Sequence, residues 1–116
     1  MAANLKRNSI ELVKNPEEAM NGGEVELQKY WTAPFLPWRV TREAIQLMSR
    51  LENNENENKE LDMLDEMAAF VADRIYQGQF TVEDLFDRLH APDANATIIR
   101  QVQFIANGSQ EANSKN

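Results

Sequence analysis

The sequence predicts a mainly α domain of three to four helices with a small N-terminal β-hairpin element. Three observations predict it. Apolar residues recur at helical spacing in long windows downstream of residue 37. Ile10 and Leu12, and later Val25 and Leu27, alternate with charged residues, which suits two short strands sharing one buried face. Finally, Phe70–Leu89 holds one helix end, a tight turn and the next helix start within twenty residues. A chain of 116 residues suits one domain, able to bury roughly two-thirds of its unfolded surface. That domain is expected over residues 1–108, with 1–9 ragged and 109–116 a disordered polar tail.

Asn15-Pro16 and Asn21-Gly22-Gly23 punctuate the interval between the strands. A helical turn at Pro16–Met20 fits inside this loop, because Asn15 can cap it and proline suits a first turn. Tyr30–Trp38 then packs four of the nine aromatic residues and two of the four prolines into nine positions. Pro34 and Pro37 hold the residues before them extended and remove two backbone donors. So stiff an aromatic stretch either lies across the core or displays rings to a partner.

A helix is expected from Pro37 or Trp38, burying Val40, Ala44, Leu47, Met48 and Leu51. Residues 52–60, ENNENENKE, are acidic and without period, and 52–58 reads as a solvated loop. It lacks the glycine that a calcium-binding EF-hand loop requires. The second helix is expected over about Lys59–Gln77 with Leu61, Leu64, Ala68, Val71 and Ile75 inward. Met63, Met67 and Phe70 widen that face beyond a single stripe. Gly78 stands where a helix needs a left-handed residue to stop. Thr81 and Asp84 make a near match to a capping box, and Phe80 with Leu85 makes the hydrophobic staple beside it. The third helix, Val82–His90, is expected to bury Val82, Leu85, Phe86 and Leu89. A fourth restarts at Ala91-Pro92-Asp93, turns Ala94, Ile98, Val102 and Ile105 inward, and ends at Gly108.

Composition excludes several functions. The net charge is −7, and residues 52–66 alone carry seven acids against Lys59. Nucleic-acid binding needs clustered Lys and Arg, so it is not expected. The absence of cysteine excludes disulfides and thiol chemistry. No apolar run is long enough for a signal peptide or a membrane span, and a reducing cytoplasm is the simplest home. His90 is the single histidine, with no neighbour marked as a nucleophile, and the four glycines form no phosphate-cradling loop. No enzyme, metal or cofactor is expected.

The Tyr76-Gln77-Gly78-Gln79-Phe80-Thr81 turn, preceded by an apolar helix and followed by acidic Val82–Asp87, resembles the tail assembly chaperones of long-tailed bacteriophages. Thr32-Ala33-Pro34-Phe35, followed by Arg39, Arg42 and Ala44, is similar to a second recurrent patch of that family. The two patches cover roughly half the chain; the Asn/Glu linker and Leu36-Pro37-Trp38 depart from the family pattern. The resemblance implies a non-catalytic protein of the host bacterial cytoplasm, absent from the mature virion. It would keep the tape measure protein soluble during tail assembly and help bring tail tube protein to it. The alternative is an acidic regulatory or DNA-mimic protein that occupies a basic partner surface through residues 52–66. Trp31, Phe35, Trp38, Met63, Met67 and Phe70 supply more apolar surface than so small a monomer easily covers. They are the expected partner-binding or self-association residues, in a homo-oligomer.

Overall fold

The computed structural model describes residues 5–52 and 57–108. Strand β1 (Ser9–Val13) pairs antiparallel with β2 (Leu27–Trp31) in the register Ser9↔Trp31 to Val13↔Leu27. One face of the hairpin is buried: Ile10 and Leu12 enter the core, while Glu11 stands outward opposite Lys29. The second strand falls later than the alternation predicts. Leu27 opens it but is exposed, Val25 precedes it, and the inward ring is Tyr30, opposite Ile10. The cause is the intervening loop, which α1 (Pro16–Met20) and the Asn21–Gly23 turn take up. Asn15 does not cap α1 with its side chain. Its carboxamide instead joins the two sides of the loop, donating to Glu24 O at 2.8 Å and accepting from Glu26 N at 3.0 Å. Backbone bonds from Ala19 N to Asn15 O and from Gly23 N to Glu18 O close the turn without it. Of the segment 1–9 expected to be ragged, residues 1–4 lie outside the described residues, as does the expected tail 109–116; nearer β1, Asn8 N donates to Thr32 Oγ1, and Lys6 Nζ to Gly108 O.

Helix α2 (Trp38–Glu52) runs antiparallel to α3 (Glu57–Phe70), with Arg50 pairing to Glu66 and Glu43 to Arg74. The expected stripe on α2 holds at four positions, with Val40, Ala44 and Leu47 buried and Met48 packed beside them, while the fifth, the Leu51 side chain, lies outside the described residues. Helix α3 starts at Glu57, before the expected Lys59, so 57–60 are helical. Acids in a first turn face the positive end of the helix dipole, which favours this extension. Of the expected 52–58 loop, residues 53–56 lie outside the described residues.

The second helix does not continue as α to Gln77. A π-helical turn, Val71–Ile75, closes it, marked by Tyr76 N donating to Val71 O at 3.0 Å. The wider turn buries two adjacent pairs, Val71 with Ala72 and Ile75 with Tyr76. Both Gln77 (φ 54) and Gly78 (φ 83) are left-handed, so the stop takes two residues where one was expected. Gly78 N reaches back to Ala72 O at 2.9 Å. Helix α4 (Val82–Arg88) carries a complete capping box, with Asp84 N donating to Thr81 Oγ1 and Thr81 N to Asp84 Oδ2, each at 3.0 Å. Phe80 and Leu85 flank the cap and are both buried, as the staple predicts. Leu89 takes extended backbone, ending α4 two residues before the expected His90. Phe86 is 55% exposed instead of buried.

Helix α5 (Ala91–Asn107) packs chiefly on α2 and also on α3, and it ends at left-handed Gly108. The described residues therefore hold five helices, not three to four, beside a two-stranded antiparallel hairpin. The additional one is α1, which forms as a helix in its own right. Its Pro16 is held in the helical φ range from the start.

Candidate functional site

Thr32 anchors the segment between β2 and α2. It is buried, and its backbone N and O bond Asn8 O at 2.9 Å and Arg7 Nε at 2.9 Å. On the other side Gln79 Nε2 donates to Trp31 O at 2.7 Å, tying the segment to the left-handed turn. With its start held in this way, the segment bends at Pro34 and runs without regular hydrogen-bonded structure to α2, and Pro34 and Pro37 disfavour helix at Ala33 and Leu36. Its rings cannot all turn inward.

Trp31 is half exposed, with Lys29 Nζ 5.5 Å and the Arg7 guanidinium 5.9 Å from its ring centroid. Phe35 is 64% exposed, and Trp38, the first residue of α2, is 80% exposed. Beside Phe35 lies an open groove of about 240 Å³. Leu36, Pro37 and Val40 line it together with Leu5, Phe104 and Ile105. Within eight residues the surface thus carries three large aromatics next to an apolar groove, where an isolated exposed ring would need no explanation.

The other three expected residues stand elsewhere. Met67 is fully buried, Phe70 is 8% exposed, and Met63 packs half-buried against the same core. Their side chains fill the space between α3 and its neighbours, and of Met67 and Phe70 only Phe70 keeps a small exposed edge. A second, larger opening of about 410 Å³ lies between α2 and α3, with Leu47, Ala69 and Phe70 in its lining. The Arg50–Glu66 pair (2.6 Å) and the Arg74–Glu43 pair (2.9 and 3.2 Å) span it. The Glu43 hydrogen bond and charge raise the Arg74 pKa above its ordinary value.

Sequence reasoning missed Leu5 and Phe104 in the groove's lining and a buried polar chain beneath the corner. Tyr76 Oη donates to Gln101 Oε1 at 2.6 Å, and Gln101 Nε2 donates to Ser9 O at 2.9 Å. Burial pushes the Tyr76 hydroxyl pKa up, against the smaller opposing effect of the Gln101 bond. The available signal was Gln101 itself, three residues after Ile98 on an otherwise apolar face. A buried carboxamide there requires partners.

Among the described residues no group of three or more His, Cys, Asp or Glu side chains could hold a metal ion. His90 is exposed at the α4–α5 corner and makes no side-chain cap bond. No described helix is long and apolar enough to cross a membrane.

The model of a family described as phage tail chaperone protein matches residues 4–116. No curated protein and no solved structure matches the chain.

Proposed function

The chain belongs to the phage tail chaperone protein family, and from that premise we propose that it is a non-catalytic holder of the tape measure protein during tail assembly. The observation that carries this reading is the exposed aromatic segment, Trp31, Phe35 and Trp38, beside its apolar groove. A long helical client awaiting its place in a tail exposes apolar side chains. Rigid aromatics bind such surfaces with little loss of conformational entropy and dominate interface energetics. The same reading puts the work in the host bacterial cytoplasm, leaves the protein out of the mature virion, and allows it to hand tail tube protein to the client. It also makes the protein a homo-oligomer, because repeated weak contacts along a rod-like client sum to avidity.

Co-expression with the tape measure protein, followed by co-purification across a salt series, tests the proposal. Binding through apolar surface persists at high salt, and Phe35→Ala reduces it about tenfold or more while the protein stays folded. Binding that disappears with salt and ignores Phe35→Ala would favour the acidic charge mimic instead.

A further inference from the structure

The β1–β2 hairpin has two outer edges, and the fold closes one of them. Bonds from Thr32 N to Asn8 O at 2.9 Å and from Lys14 N to Glu26 O at 2.6 Å lie just beyond the two ends of its register. Hydrogen-bonded pairs alternate along an antiparallel ladder, so the bonded pairs between these ends are Ile10 with Tyr30 and Leu12 with Gln28. The backbone groups of Ser9, Glu11 and Val13 on β1, and of Leu27, Lys29 and Trp31 on β2, therefore point away from the partner strand. On the β1 edge, Gln101 Nε2 donates to Ser9 O at 2.9 Å and Arg88 Nε to Val13 O at 2.8 Å. On the β2 edge, Gln79 Nε2 takes Trp31 O at 2.7 Å. Nothing among the described residues bonds the outward N–H and C=O of Leu27 or Lys29, and both residues are exposed.

An edge of this kind is a template for one more strand. Proline or a bulge would blunt it, but β2 contains no proline and its register runs unbroken. Its guard is Lys29 at the middle, a residue that repels a like charge and admits an acid. Leu27, Lys29 and Trp31 share the hairpin's outer face, away from the inward Tyr30, with Leu27 and Trp31 about half exposed. Glu11 stands opposite Lys29 on β1, yet Lys29 pairs with no carboxylate among the described residues. Its Nζ lies 5.5 Å from the Trp31 ring centroid, and the Arg7 guanidinium brings a second positive charge to 5.9 Å.

Charge decides what pairs with this edge. A second copy laying its own β2 antiparallel along the full strand would set Lys29 directly against Lys29, and like charges directly opposite are destabilising. We infer that β2 takes an extended segment of a different protein as a third, antiparallel strand. That segment carries a carboxylate opposite Lys29 and apolar side chains opposite Leu27 and Trp31, an apolar-x-acid-x-apolar pattern on one face. Main-chain bonds at Leu27 and Lys29 hold it, and its alternate side chains select it. The inference stands apart from the tape measure reading, whose apolar contact needs none of these main-chain groups.

The test is a titration of the isotopically labelled full chain, followed by NMR, with a synthetic peptide centred on Val-Thr-Glu-Thr-Val. At saturation the Leu27 and Lys29 amides should exchange about tenfold or more slowly, while those of Ile10 and Tyr30 change little. Replacing the central Glu of the peptide by Lys should weaken binding about tenfold or more, and Lys29→Glu should reverse that preference. A peptide N-methylated at the Glu and both Val residues should not bind, a comparison that leaves the protein unaltered. Lys29→Pro should abolish binding too, because it removes an outward N–H and none of the hairpin's own bonds. No binding at millimolar peptide, equal affinity for the Glu and Lys peptides, or equal binding of the methylated peptide would each overturn the inference. So would protection of Leu27 and Lys29 that arises without peptide as the chain is concentrated, since a second copy would then be the added strand.

Discussion

Phe80 shows how much of this corner is legible in the chain. It precedes a capping residue, has Leu85 five positions on, and is buried against Tyr30 and Tyr76, with ring centroids 5.0 and 5.2 Å away. Phe80→Ala should cost about 3–5 kcal/mol in urea unfolding, the range for truncating a buried aromatic. A loss under about 1 kcal/mol would mean that the ring is not part of the core. Thr81→Ala, which removes one arm of the capping box, should cost only about 1 kcal/mol. Tyr76 was legible as a corner residue but not as a hydrogen-bonded one, because Gln101 is 25 residues away and only the folded chain brings them together. Its raised pKa carries a pH dependence. The unfolded tyrosine ionises near pH 10 while the buried one stays neutral. The contribution is full below that pH and is lost as pH rises above it. Tyr76→Phe should flatten the fall in stability measured above pH 10.

At the scale of elements, periodicity located the helices well and their ends and faces less well. From Val40 to Met48 the stripe on α2 stands as expected, whereas α3 and α4 each expose a residue placed inward, Leu61 and Phe86. Spacing along a helix states which residues share a side. It does not state how far the neighbouring element extends to cover them, and both differences come from that gap. Met67 and Phe70 differ the other way: a wide apolar face suggested surplus surface, and within the subunit both side chains are buried in the core. A paired comparison on α4 checks its orientation. Leu85→Ala should lose about 2–5 kcal/mol, and Phe86→Ala, one residue on, should stay within about 0.5 kcal/mol. Similar losses at both would rotate the helix from where it is described.

Over the described residues the core is shared by β1, α2, α3, the π-helical turn and the corner after it, α4 through Leu85, and α5, and the loop carrying α1 contributes no buried residue. Stability should be distributed in the same way. Native-state hydrogen exchange should find the slowest amides in the π-helical turn and at Val102, and early exchange through residues 16–26. Protection of that loop as strong as that of Val102 would contradict the distribution. The aromatic segment, by contrast, combines a firmly tied start at Thr32 with rings in water. Its composition was legible at once, yet its exposure was not. Two prolines and four aromatics fit a lid as well as a display, and only the anchors from Asn8, Arg7 and Gln79 decide between them.

The π-helical turn has a genealogical consequence. Five residues occupy a turn that an ordinary helix completes with four, which is the mark a single inserted codon leaves when a helix absorbs it without shifting its ends. The spacing from Tyr76 to Thr81, which sets the corner, is then independent of the insertion. Relatives without the extra residue should align with a one-residue gap between Phe70 and Tyr76 and keep everything after it in step. Deleting Asp73, an exposed member of the turn, imitates such an ancestor. It would either restore a regular helix or swing Tyr76 and Phe80 by about 100° out of the core, as one helical residue spans, and thermal unfolding distinguishes the two lineages.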